Sequence, residues 1–330
     1  MNMNLNVPDR QTYTPEITAD GSFTFFSSEF GETFHSHQGA HAEALLKFIE
    51  PTQLRQKARM DRLCLLDICY GLGYNTAVAI EAIWQINPDC VVEVVALESD
   101  IAVPQAAIAH LTDAAQLETR RRQMDLQNPD RTGDGESKIH NPTSKMGSVS
   151  FWDDLEVQSI LKALATVQAV RTPKLYAQLL VGDARKTLKE VKNSGFLADA
   201  IFLDPFSPPR CPQLWTVEFI SLVSQCLKPD GRLATYSCAA AVRQALLSAK
   251  LHIGATNPVG RRSPGTVASF SATNLPPLSL QEQEHLLTRA AVPYRDPYLQ
   301  DSRENILKQR EVAQQNSPLE PTSRWKKRWG

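Results

Sequence analysis

Three observations predict an α/β fold with a mostly parallel sheet, helices on both faces and an antiparallel edge strand. First, the apolar run Leu63–Ile68 is followed by a Gly71-Leu72-Gly73 turn, a helix from about Asn75 to Ile86, and the β-branched run Val91–Leu97 ending at Glu98. That order is a βαβ unit, which implies parallel strands. Second, the strand-like runs Ala177–Val181, Ala200–Leu203 and Arg232–Ser237 recur with helical stretches between them. Third, residues 264–270 suit a closing antiparallel strand or hairpin. The arrangement is Rossmann-like.

The remaining elements follow in chain order. Residues 1–20 read as a loose arm. The segment SFTFFSSEFG, 22–31, alternates aromatic and small polar residues and predicts a β-hairpin. His35–Ile49 reads as a helix with Ala44, Leu45, Phe48 and Ile49 on one side and Pro51 stopping it. Residues 118–149 are rich in Arg, Asp, Asn, Gly, Ser and Lys and nearly lack aromatics. Too little apolar surface is available to offset ordering, which predicts a largely disordered insertion or a long surface loop. Helices are expected at Asp153–Val167 and Trp215–Leu227, the second preceding a Pro229-Asp230-Gly231 turn. Beyond residue 274 the chain is polar, with Pro276 and Pro277 at the boundary. The expected organisation is an arm, 1–21, a Rossmann-like domain, 22–272, and a C-terminal extension, 273–330.

Composition narrows the function. The 330 residues are 42% hydrophobic and 22% charged, a globular profile, and the net charge of -1 disfavours a non-specific nucleic-acid binder. The six cysteines contain no CxxC pair and mostly lie in apolar runs, as expected of free thiols in a reducing compartment. The N-terminus lacks an apolar signal core, and no uncharged run approaches the ~20 residues of a membrane span. A cytoplasmic protein is expected.

The segment LLDICYGLGYNT, 65–76, carries the cofactor signal. An acid, Asp67, closes a strand, glycines stand at alternate positions, and a helix begins. Glycine lets the backbone turn sharply and lets a ligand approach. Glu98, at the end of the next strand, suits the two hydroxyls of a ribose. A dinucleotide turn needs a third glycine where Thr76 stands. S-adenosyl-L-methionine (AdoMet) has no phosphate, so its turn does not require that spacing. Asp183, after a later strand, can accept from an adenine amino group. A GxG turn alone also suits a purely structural domain; the ordered set Asp67, Gly71, Gly73, Glu98 and Asp183 favours the nucleoside.

The strand Ala200–Leu203 opens into Asp204-Pro205-Phe206-Ser207-Pro208-Pro209, a pattern resembling the loop of amino-group methyltransferases. Methyl transfer is an in-line displacement, so orienting the nucleophile's lone pair matters most. The Asp204 carboxylate and Pro205 carbonyl can accept from an amine, Asp204 can receive its proton, and Phe206 can wall the pocket. A proline-rich loop that only caps the next helix is the alternative.

Other groups are weaker candidates. His35, His37 and His41 lack an HExxH pattern, so no metal is expected. Cys211 has no evident histidine partner. Arg261-Arg262 and the terminal Trp325-Lys326-Lys327-Arg328-Trp329 could hold phosphate and stack on bases, although a charge run is more often a solvated surface.

At these residues the chain resembles the MnmC-like family of tRNA wobble-uridine methyltransferases, more closely its stand-alone, cyanobacterial-type members. The resemblance runs over about 22–50, 62–100 and 175–272, through FHSHQGAHAEALLKFI, LLDICYGLGYNTA, ADAIFLDPFSPPRCPQLW and VGRRSPG. It implies N-methylation of the exocyclic amine of 5-aminomethyl-(2-thio)uridine in tRNA. Asp67, Gly71, Gly73, Asn75, Glu98 and Asp183 would hold AdoMet, and Asp204 would be the catalytic-site acid. Three departures stand out. Cys69 replaces a loop glycine, DPF replaces DGF, and no second dinucleotide fingerprint marks a flavin-dependent half. The alternatives are methylation of another amine, an oxidoreductase, or a non-catalytic RNA-binding member.

Overall fold

The apolar runs become strands of two sheets in the computed structural model, which describes residues 13–112, 155–259 and 263–330. A small antiparallel sheet holds β1 (Pro15–Ile17), β2 (Phe23–Ser27) and β3 (Glu32–Thr33). The main sheet holds β4 (Arg62–Ile68), β5 (Val91–Glu98), β6 (Ala169–Arg171), β7 (Leu175–Val181), β8 (Ala198–Leu203), β9 (Leu227–Thr235), β10 (His252–Ala255) and β11 (Thr266–Ser269). Its order is β10-β11-β9-β8-β4-β5-β7-β6. Strands β9, β8, β4, β5 and β7 are parallel, while β6 on one edge and β11, which lies between β9 and the edge strand β10, run antiparallel to their neighbours.

Helices among the described residues include α1 (Ala40–Glu43), which runs on into π-helical Ala44–Ile49, α2 (Leu54–Lys57), α3 (Tyr74–Trp84), α4 (Leu155–Val167), α5 (Ala184–Asn193), α6 (Val217–Ser224) and α7 (Ala240–Ser248). The C-terminal stretch adds α8 (Leu280–His285), α9 (Arg303–Asn316) and α10 (Thr322–Trp329).

Strand alternation divides the core. Leu63 and Leu65 of β4, with Val92 and Val94 of β5, join the cluster containing α3 and α4; Leu66, Ile68, Val95 and Leu97 join α5, α6 and α7. Central strands covered on both sides read as continuous apolar runs rather than alternating ones. Helix α3 buries nine of its eleven residues, so it is apolar nearly all round. Truncating one such core leucine to alanine costs about 2–5 kcal/mol. The chain leaves β4 towards β5 and later returns to β8 on the other side. That reversal opens a crevice at the carboxyl ends of β4, β5 and β8.

Three expectations need correction. Residues 15–17 pair with β2 instead of forming part of a loose arm. The helix expected from His35 begins at Ala40, because His35 is held by β2 (its amide donates to Thr24 Oγ1 at 2.9 Å) and Gly39 takes φ 143°. Asp20, distant in sequence, accepts from the Ala42 amide at 3.1 Å and so supplies the helix start. Pro229, Asp230 and Gly231 are no separate turn. They lie within β9, whose pairing steps from Ala198↔Leu227 to Ala200↔Arg232, and such an irregularity tolerates a proline without a ladder donor. The polar tail is helical and packs back, with Tyr294 and Ile306 in the second core cluster. The proposed insertion at 118–149 lies outside the described residues.

Candidate active site

A cavity of about 600 Å³ lies at the crevice, within the range of small-molecule sites. Gly71, Asn75, Glu98, Asp183, Asp204, Pro205 and Phe206 all line it; Asp67 and Gly73 do not.

The turn after β4 needs left-handed backbone at Cys69 (φ 69°), Gly71 (56°) and Gly73 (89°). A Cβ on Gly73 would sit 2.6 Å from the Tyr70 hydroxyl, so glycine is required at the start of α3. Cys69 adopts a conformation that costs a non-glycine residue about 1 kcal/mol or more. The Leu97 carbonyl accepts from both the Cys69 and Tyr70 amides, at 3.0 and 2.9 Å, which pins the turn to β5.

Glu98 is held chiefly by backbone amides. It accepts from the amides of Gly71 (2.8 Å), Ser99 (2.7 Å) and Asp100 (3.0 Å). Burial nevertheless leaves its carboxyl above the usual range, those amide bonds only restraining the rise. Asp67 faces α3 by strand alternation and is sealed beneath the turn. Thr76 Oγ1 donates to it at 2.7 Å, its other oxygen has no partner, and burial pushes its carboxyl up to about 7.

Asp183 caps α5, accepting from the Arg185 amide at 2.9 Å. Burial raises its carboxyl, but hydrogen bonds and charge from Arg185 outweigh this and hold it below the ordinary value. The Arg185 guanidinium also donates to Asp296, at 3.0 Å, and to the Asp301 carbonyl, at 2.9 Å.

Asp204 is accessible through the cavity, and its amide donates to the Ile68 carbonyl at 3.1 Å. The Asn75 side-chain amide donates to its carboxylate at 3.0 Å, while Asn75 Oδ1 is buried without a partner. Enclosure by protein pushes the Asp204 carboxyl well above the usual range, and nearby Glu43 and Asp67 push the same way. The Pro205 carbonyl already accepts from the Tyr236 hydroxyl at 2.8 Å, leaving one lone pair for a ligand. Phe206 stacks on Phe30 (4.3 Å between centroids, 16°), and Trp215 Nε1 donates to its carbonyl at 2.8 Å. Glu32 accepts from the Ser207 amide at 3.0 Å and bonds its hydroxyl, tying the small sheet to this loop.

The weaker candidates are largely accounted for. Among the described residues, no group of three or more His, Cys, Asp or Glu could hold a metal ion. Burial pushes the Cys211 thiol up to about 12, unsuited to a nucleophile. Trp325 stacks on His285 at 4.1 Å, Arg328 bonds Glu284 and Glu320, and Trp329 Nε1 donates to Glu284 at 2.8 Å. Trp325, Arg328 and Trp329, for which stacking on bases is only the lesser reading of the sequence, therefore hold α10 to α8. Arg261 and Arg262 lie outside the described residues. No described helix is long and apolar enough to cross a membrane. Sequence reasoning missed Arg185, Tyr236, Glu43 and Lys47; only the i, i+4 spacing of Glu43 and Lys47 offered a signal.

Residues 150–271 match a family model described as an S-adenosyl-L-methionine-dependent methyltransferase. The crystal structure of MNMC2 from Aquifex aeolicus is 30% identical, with a TM-score of 0.72, covering 94% of this chain and 87% of that one. The chain belongs to the MnmC-like methyltransferase family. An uncharacterized protein of Methanocaldococcus jannaschii is 24% identical over 297 residues, 89% of this chain and 70% of that protein. The tRNA 5-methylaminomethyl-2-thiouridine biosynthesis bifunctional protein MnmC of Polaromonas naphthalenivorans is 27% identical over 245 residues, 72% of this chain. The chain spans about a third (32%) of that bifunctional relative's length. As an MnmC-like protein it is an AdoMet-dependent methyltransferase with a Rossmann-like fold, and AdoMet is its cofactor.

Proposed function

We propose that the chain N-methylates the exocyclic amine of 5-aminomethyl-(2-thio)uridine at the wobble position of tRNA. The observation that carries this reading is the Asn75–Asp204 contact, 3.0 Å long, on the same cavity as Glu98, in a relative of MnmC proteins. The residues present fit AdoMet: Glu98 is an acid suited to a ribose, and Asn75 Oδ1 is a buried acceptor still without a donor. AdoMet supplies an electrophilic methyl group on a sulfonium.

Glu98 accepts from the ribose hydroxyls and Asp183 from the adenine amino group. Gly71 keeps the backbone clear of the ligand. Asp67 and Gly73 act from outside the cavity, holding the turn and the start of α3. Asp204 and the free lone pair of the Pro205 carbonyl orient the substrate amine, and Phe206 walls its approach. The new N–C bond forms as the S–C bond breaks, and the ammonium product sheds a proton to Asp204 or water. An acid whose affinity for protons is raised by its surroundings is better matched to that task than an ordinary aspartate. Arg261 and Arg262 are the proposed contacts to tRNA phosphates.

The test incubates the protein and AdoMet with bulk tRNA from a strain lacking this methylation, followed by mass spectrometry of the nucleosides. A methylaminomethyl-uridine product is expected. An unmethylated wobble nucleoside, with AdoMet binding intact, would eliminate this substrate.

A further inference from the structure

AdoMet ends in an α-amino acid, a carboxylate beside an ammonium, and the residues assigned above leave the carboxylate without a cation. Besides His35, the basic side chains that line the cavity among the described residues are Lys47 and Arg185. Arg185 is committed to Asp183 and Asp296, at 2.8 and 3.0 Å. Burial lowers His35 to about 4, so its ring is neutral near pH 7. Lys47 is therefore the cation available to a ligand.

Lys47 lies in the π-helical stretch Ala44–Ile49, a distortion that recurs at functional sites. Its side chain is only 8% exposed, and its ammonium sits 2.6 Å from Glu43 Oε1, its one partner among the described residues. Two of its three N–H donors remain unused. Glu43 is itself fixed, accepting from the Ser36 hydroxyl at 2.6 Å and the Ser36 amide at 3.2 Å. A buried ion pair contributes little to stability, because desolvating two charges cancels most of their attraction. An ion pair in the wall of a ligand cavity calls for another reason. Glu43 and Lys47 line the same cavity as Asp204, whose loop is where the sulfonium would present its methyl group. The amino-acid end of AdoMet is joined to that sulfur by a short carbon chain.

We propose that Glu43 and Lys47 form the subsite for the amino-acid end of AdoMet, Lys47 donating to the α-carboxylate and Glu43 accepting from the α-ammonium. The buried Asn75 Oδ1 supplies a further acceptor for the ammonium in the same cavity. The pair thus presents a cation and an anion side by side to a zwitterion. The inference depends on the cofactor and not on the tRNA substrate, so the two stand or fall separately.

Calorimetry on the full chain tests it with S-adenosylhomocysteine and with 5′-methylthioadenosine, which keeps the nucleoside and sulfur but lacks the amino acid. Lys47→Met should weaken S-adenosylhomocysteine about 30-fold while leaving methylthioadenosine within about threefold, and Lys47→Arg should restore most of the loss. Unchanged binding of S-adenosylhomocysteine, or an equal loss for both ligands in a folded variant, would overturn the assignment. Glu43→Gln combined with Lys47→Met removes both charges without stranding either. Should neither variant fold, the wild-type chain still decides. S-adenosylhomocysteine lacking only its carboxylate should bind about 30-fold more weakly than the parent, and equal affinity overturns the subsite.

Discussion

The Asn75 side-chain amide donates to the Asp204 carboxylate across 3.0 Å. Asn75 stands in the first turn of α3, immediately after the glycine turn, and Asp204 stands one residue beyond β8. Because β4 and β8 are adjacent and parallel, with Ile68 opposite Leu203, both segments emerge at the same sheet edge. A single hydrogen bond therefore couples the cofactor turn to the loop proposed to hold the amine.

Asp204→Asn should keep the contact partner at position 75 but lose the proton acceptor. The expected result is a fall in kcat of about 10²–10³, as for loss of a general base, with AdoMet affinity within about threefold of wild type. Single-turnover methyl transfer together with calorimetry checks both halves. Full turnover by this variant would leave Asp204 without a chemical role. Asn75→Ala should be milder, about tenfold in kcat, since it removes orientation but not the carboxylate.

How much of this could be read from the chain depends on whether each signal is local. The βαβ order, Gly71, Glu98 and Asp204 were legible because strand-end acids and glycine turns are written within a few residues. Arg185 meets Asp296 from 111 residues away, and Tyr236 meets Pro205 from 31; no periodicity announces such pairs. Pro229-Asp230-Gly231 misleads because residues that punctuate turns also serve irregular strands. The tail's Trp325 and Arg328 have the composition of an RNA surface, but packing against α8 uses them first. Asp67 shows the limit most clearly. Its position in the motif was legible, yet strand alternation turns it away from the cavity towards Thr76.

Glu98 offers a prediction in which affinity and turnover separate. Glu98→Ala removes the ribose acceptor and strands the amides of Gly71, Ser99 and Asp100. Losing charge-assisted bonds in a buried setting corresponds to about 2–3 kcal/mol, so AdoMet should bind about 30- to 150-fold more weakly. At saturating AdoMet, kcat should stay within about threefold, because the Asp204 loop is untouched. Titration of AdoMet at fixed tRNA checks this, and an unaltered KM for AdoMet would argue against Glu98 as a ribose ligand.

Asp67 makes a prediction about pH. Burial without a counter-ion raises its carboxyl from 3.8 to about 7. The folded state then holds this proton more tightly than the unfolded chain does. Its contribution to stability is present below pH 3.8 and is lost as pH rises through about 7. Asp67→Asn cannot ionise and keeps an oxygen for Thr76. Relative to wild type it should therefore gain stability across that window, by about 4 kcal/mol at most. Urea melts of both proteins at several pH values between about 4 and 8 check this, with Glu98 and Asp204 cancelling in the comparison. A difference that does not change with pH would mean that Asp67 titrates as an ordinary aspartate.

Asp296 tests whether the C-terminal extension belongs to the cofactor site. Its side chain is fully buried and accepts from Arg185 at 3.0 Å, from the Gln300 amide at 3.0 Å and from the Asp301 amide at 3.2 Å. Its own amide donates to Glu218 of α6 at 2.8 Å. Asp296→Ala strands two amides and leaves the Arg185 guanidinium, 13% exposed, with Asp183 as its remaining carboxylate. Breaking a buried pair from one side costs about 3–5 kcal/mol. Arg185 then keeps only the Asp301 carbonyl on the side away from the cavity, and Asp183 is held less firmly, chiefly through its bond to the Arg185 amide. The variant should unfold at lower urea, and its AdoMet affinity should fall by about fivefold, a smaller loss than for Glu98→Ala because no ligand contact is removed. An unchanged urea midpoint would make residues 294–301 an appendage on the domain and not part of the wall that orients Asp183.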